Sequence, residues 1–104
     1  MFHEPPEDFT RKLRAAEDLA ARLQKPDWAT QANLNKLRDY TREALDFVRS
    51  QRLTFKRKRQ DALEVVEQHL DRIHDLGTLD ARWRLESVFF ALRVARTGRG
   101  TVAA

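Results

Sequence analysis

The 104-residue sequence contains no cysteine, which excludes disulfides, thiolate nucleophiles and cysteine-ligated metals without fixing a compartment. Three glycines and three prolines are too few for a turn-rich β protein or a flexible linker. The longest uninterrupted apolar run, residues 88–92, is far short of a membrane span. Residues 1–8 are acidic and lack an apolar stretch, so no secretory signal is expected and a cytoplasmic location is the default. There is no Gly-rich phosphate loop, and Ser50 and Ser87 fall in helical patterns, not on a sharp turn. The apolar seams carry almost no charge that could converge into a site. Neither catalysis nor a cofactor or metal is expected.

What the sequence has in excess is charge. Lysine, arginine, aspartate and glutamate make up 35% of the chain, above the quarter of an ordinary domain, and the charges are segregated. Residues 1–48 carry a net −1, residues 49–59 carry +6 with no acid, residues 60–80 carry −5 and residues 81–104 carry +4. Such blocks create fields that a partner reads, which an evenly mixed surface does not. Of the apolar residues 13 are alanine, so the larger side chains suffice for one modest core. A single domain is expected over residues 1–97, followed by a disordered tail over 98–104.

Nearly all of the chain has helical periodicity. Pro5 and Pro6 followed by Glu7 and Asp8 read as a helix start, because proline suits the first turn and acids complement the dipole there. Phe9, Leu13, Ala16, Ala20 and Leu23 then recur at spacings of three and four, widened by Leu19, until Pro26 stops the pattern. A second stretch, residues 28–49, repeats Leu34, Leu37, Thr41, Ala44, Leu45 and Val48. A third, residues 55–76, repeats Ala62, Val66, His69, Ile73 and Leu76. Neither glycine nor proline lies between Asp27 and Leu76, so the two stretches are either one helix of about fifty residues or two with a break near residues 50–54. Gly77 is expected to close the third stretch in the left-handed conformation, and Thr78 or Asp80 to cap a fourth helix over residues 79–96. Leu79, Trp83, Leu85, Val88, Phe89, Phe90, Leu92 and Ala95 make that helix apolar on several sides, so it needs more than one neighbour. The expected fold is an all-α antiparallel bundle of three or four helices. Self-association as a homodimer is expected too, with the +6 and −5 blocks setting an antiparallel register.

The strongest local signal is the run Arg49, Arg52, Lys56, Arg57, Lys58 and Arg59. On one helix Arg49, Arg52, Lys56 and Arg59 share a face about 15 Å long. That matches a row of phosphates, with Arg57 and Lys58 at its sides. Arg93 and Arg96, with Arg82 on the same face, either extend this basic surface or neutralise the acidic 60–80 block. No base-reading set accompanies the cations, so the contact expected is with nucleic-acid backbone, independent of sequence. Phe55 is assigned to the core. A helix-turn-helix around Gly77 is rejected, because residues 88–92 are core material and not a groove-facing surface. Asp71 and His74 have the spacing of a helical ligand pair, with Glu67 one turn earlier. The seam histidine is His69, however, and no other helix offers a matching pair, so no metal site is expected. These features point to a non-enzymatic helical protein gripping nucleic-acid backbone, alone or as an accessory subunit of a larger assembly. The alternative is a protein-binding adaptor, chaperone or inhibitor that docks an acidic protein surface or a helical partner through its bundle.

Overall fold

A computed structural model describes residues 5–50 and 57–100. Among them are four α-helices, α1 (Glu7–Arg22), α2 (Gln31–Ser50), α3 (Arg57–Asp71) and α4 (Leu79–Thr97), a 3-10 turn at Pro26–Trp28, and no strand. Pro6 opens α1 at φ −55°, and its carbonyl accepts from the Thr10 amide at 3.2 Å. Phe9, Leu13, Ala16, Ala20 and Leu23 are buried on the seam their spacing predicts. α2 starts three residues later than expected, because Trp28 belongs to the 3-10 turn. Thr30 begins the helix instead, its hydroxyl accepting from the Asn33 amide at 3.2 Å.

α2 and α3 are two helices, not one of fifty residues, and they run antiparallel. Arg49, at the end of α2, lies 3.7 Å from Glu64 in α3. Arg38, nearer the start of α2, reaches the carbonyls of Leu70 and Ile73 at the far end of α3. The joining residues 51–56, with Arg52, Phe55 and Lys56, lie outside the described residues.

α3 stops at Asp71, short of Leu76. The amides of Arg72 and Ile73 bond back only three residues, to His69 and Leu70, which tightens the last turn. Gly77 is not the left-handed cap: among the described residues positive φ occurs at Gly98 (71°) and Gly100 (97°). The turn before α4 is made by Asp75, whose carboxylate accepts from the Gly77 amide at 2.9 Å. Thr78 then caps α4, accepting from the Ala81 amide at 3.0 Å. At the other end Gly98 closes α4, donating its amide to Val94 O at 2.7 Å. The Arg99 amide bonds to the Thr97 hydroxyl at 3.2 Å, so the first residues expected in the tail fasten to the helix end. Residues 101–104 lie outside the described residues.

Each helix packs on its neighbour in sequence, and α4 also packs on α1, so the four enclose one core. Leu13, Leu37, Leu45, Leu63, Leu85 and Leu92 are fully buried in it, each contributing on the order of 2 kcal/mol. The antiparallel order gathers the start of α1, the end of α2, the start of α3 and the end of α4 at one end of the molecule. Phe9 meets Phe47 there at 5.5 Å, and Arg59 meets Ala95. No described helix is long and apolar enough to cross a membrane.

Candidate functional site

Among the described residues Arg49, Arg57, Lys58, Arg59, Arg93 and Arg96 collect at that end, but Arg49 and Arg59 do not share one helical ridge. Arg49 closes α2 and Arg59 lies in the first turn of α3, on a separate antiparallel helix. Arg49 approaches Glu64 at 3.7 Å, and Arg57 pairs with Asp61 one turn on at 3.3 Å. Arg59 donates to the carbonyls of Ala95 and Arg96, at 2.9 and 2.6 Å. It thereby satisfies acceptors that the last turn of α4 leaves open and sets a cation against the negative end of that helix. Lys58 is exposed, and Arg52 and Lys56 lie outside the described residues.

Arg93 and Arg96 converge on an acid that sequence reading passed over. Glu17 sits inside the apolar stripe of α1, between Leu13 and Ala20, and is 4% exposed. Arg96 holds both of its carboxylate oxygens through Nε and Nη2, and Arg93 approaches from the rim at 3.5 Å. The hydrogen bond to Glu17 binds the Arg96 proton more firmly than in a free guanidinium, against the opposing effect of burial. A carboxylate on an apolar seam was the visible signal. Arg38 and Arg59 left a similar one, each lying one turn from core positions and each holding the carbonyl end of the next helix.

The second surface is the outer face of α4. Its inward side presents Ala81, Leu85, Val88, Ala91, Leu92 and Ala95 to the core. α1 and α3 flank the helix, and among the described residues they are the elements that pack most closely on it. Leu79, Trp83 and Phe90, at spacings of four and seven, therefore line one outward stripe. They are 80%, 56% and 53% exposed. The helix was expected to need more than one neighbour, and α1 and α3 together leave this part of its apolar surface exposed. Arg82, Glu86 and Arg93 border the stripe on one side. The chain matches no protein-family model, no curated protein and no solved structure.

Trp83 is tied to the interior through His69, whose ring meets it edge-on at 5.4 Å. Arg84 donates to His69 Nδ1 at 3.2 Å and pairs with Asp80 at 2.9 Å. A guanidinium can only donate, so Nδ1 carries a lone pair and the proton of the neutral ring is on Nε2. Burial first, then the charges of Arg84 and Arg72, push the His69 pKa below its ordinary value of 6.5, with Asp80 opposing. Two clefts open elsewhere, on the α1–α2 side. One of about 280 Å³ lies beneath the Lys12–Glu43 pair, and one of about 230 Å³ is walled by Trp28 and Tyr40. Neither is lined by a serine, threonine or histidine that a neighbouring carboxylate could activate.

Proposed function

We propose that the protein is a non-enzymatic docking module, of the adaptor, chaperone or inhibitor kind, that binds a protein through the outer face of α4. One observation carries the reading: Leu79, Trp83 and Phe90 are exposed on a single helical stripe. Scattered surface apolar residues are ordinary, but a contiguous apolar stripe rimmed by charge is the form of an interaction face. Tryptophan and arginine are also the side chains that most often dominate binding energy. The helix-in-groove mode reads such anchors at spacings of four and seven. A cytoplasmic setting is part of this proposal. The test is a photo-crosslinking residue placed at Phe90 and, as a control, at the exposed Gln68 of α3, followed by illumination in the source cell. Adducts at position 90 and none at 68 are expected. Equal or absent adducts at both positions would end the reading.

A second reading, contact with nucleic-acid backbone, draws support from Lys58, which is exposed. Arg52 and Lys56 lie in sequence between Ser50 and Arg57. Arg59, Arg93 and Arg96 already have partners within the chain and add little free charge to it. Replacing Arg52, Lys56 and Lys58 with glutamine is expected to weaken any binding and flatten its salt dependence. Failure of the wild type to shift single- or double-stranded nucleic acid at low salt removes this reading.

A further inference from the structure

Resting on the docking reading of α4, we infer that its partner is a second copy of this chain, laid antiparallel along the same stripe. The register is fixed by Arg82 of each copy pairing with Glu86 of the other.

The stripe is complementary to itself in one register. In an antiparallel pair with a twofold axis between residues 84 and 85, Leu79 lies opposite Phe90 of the second copy. The two Trp83 rings fall within a turn of each other near the axis. Arg82 comes within one residue of the level of Glu86, and the symmetry repeats each contact. The flank also matches. Reversing a helix and turning it to face its twin brings like flank against like flank. Arg82 and Glu86, four apart on the same side of the stripe, therefore meet their own counterparts across it.

Charge chooses among apolar registers. With the axis between residues 86 and 87, Trp83 lies opposite Phe90, an equally good apolar match. That arrangement brings the two Glu86 carboxylates within one residue of the same level, against three in the first register, and sets Arg82 opposite Ala91, so like charges move closer and an opposite pair is lost. Within one chain, Arg82 and Glu86 stand four residues apart in the order arginine then glutamate, the less favourable order for a pair on one helix. Among the described residues both are exposed and neither has an ion-pair partner. Each is left available to the other copy. Arg93 lies over the Phe89 ring at 4.8 Å and beside Glu17, which keeps it out of this exchange.

Sedimentation equilibrium on the full chain tests the inference. The wild type is expected to move from the mass of one chain to twice that mass with rising concentration. Trp83→Ser with Phe90→Ser is expected to stay monomeric with unchanged helical circular dichroism. Arg82→Glu alone sets acid against acid at both symmetry-related contacts, and Glu86→Arg alone sets base against base. Each is expected to weaken the dimer roughly tenfold or more. Mixed together, the like charges of each variant find their opposites in the other, so a heterodimer at least as tight as the wild type is expected. A wild type that stays monomeric overturns the inference, as does a dimer indifferent to both reversals or an inert mixture. Crosslinks from Phe90 to a different protein, with a monomeric wild type, would remove the second copy and leave the docking reading standing. Absence of both would remove the two together.

Discussion

The end of the molecule where α3 begins and α4 finishes and the outer face of α4 use their side chains in opposite ways. At the first, groups that water would hydrate well are drawn inward: Glu17 is buried in the α1 seam, Arg96 grips it, and Arg59 holds the carbonyls of Ala95 and Arg96. At the second, groups that water solvates poorly are turned outward, with Leu79, Trp83 and Phe90 on one stripe. The difference lies in what each side chain can reach. Arginine has a stem long enough to carry its charge to a partner on the neighbouring helix. An aromatic ring on the side of α4 that faces away from α1 and α3 lies beyond the reach of their side chains. Charge density along a sequence is therefore a poor guide to free positive potential, and apolar density a poor guide to burial.

Removing charged groups from the first region should cost far more than removing apolar groups from the second. The largest effect is expected for Glu17→Ala. It leaves Arg96 without its carboxylate at a largely buried site, so urea unfolding should report a loss of about 3 kcal/mol. Arg59→Ala removes two charge-assisted bonds and a cation from the end of α4, for a loss of about 2 kcal/mol by the same measurement. Gly98→Ala should lose about 1 kcal/mol. It forces a left-handed backbone on alanine and places a Cβ 2.9 Å from Arg59 Nη2. A smaller, pH-dependent loss is expected from His69. Above pH 6.5 its ring is neutral whether the chain is folded or not. As the pH falls below that value the unfolded chain takes the proton first, so stability declines until the pH passes the lower folded-state pKa and then levels off. His69→Gln should remove that part of the slope. The smallest effect is expected on the outer stripe, where Phe90→Ser in dilute protein should change stability by no more than about 0.5 kcal/mol.

Much of the fold was legible in the sequence because it rests on periodicity. Apart from Glu17, the buried members of α1 and α2 are those their spacing named, and Thr78 was among the caps foreseen for α4. What spacing could not convey was where the chain turns. The absence of glycine and proline between Asp27 and Leu76 left a continuous helix open, yet Ser50 and Arg57 belong to different helices. Gly77 invited a cap that Asp75 and Arg38 make unnecessary, by building the turn and holding the carbonyls before it. Among the candidate site residues, Arg59, Arg93 and Arg96 go to partners within the chain that spacing did not name. A guanidinium's partner lies across a helix interface, and only packing specifies which interface that is. Phe90 illustrates the converse. Its excess over what two neighbours can cover was visible in the sequence, and its outward side was not.

Trp28→Phe leaves Trp83 as the one tryptophan in the chain. Acrylamide quenching of its emission across a dilution series then asks whether the outer stripe is open in the single chain and covered in the assembled one. Ready quenching in dilute protein, giving way to protection as concentration rises, is the result expected. A Trp83 already shielded in the dilute monomer, or one as open at high concentration as at low, would contradict it.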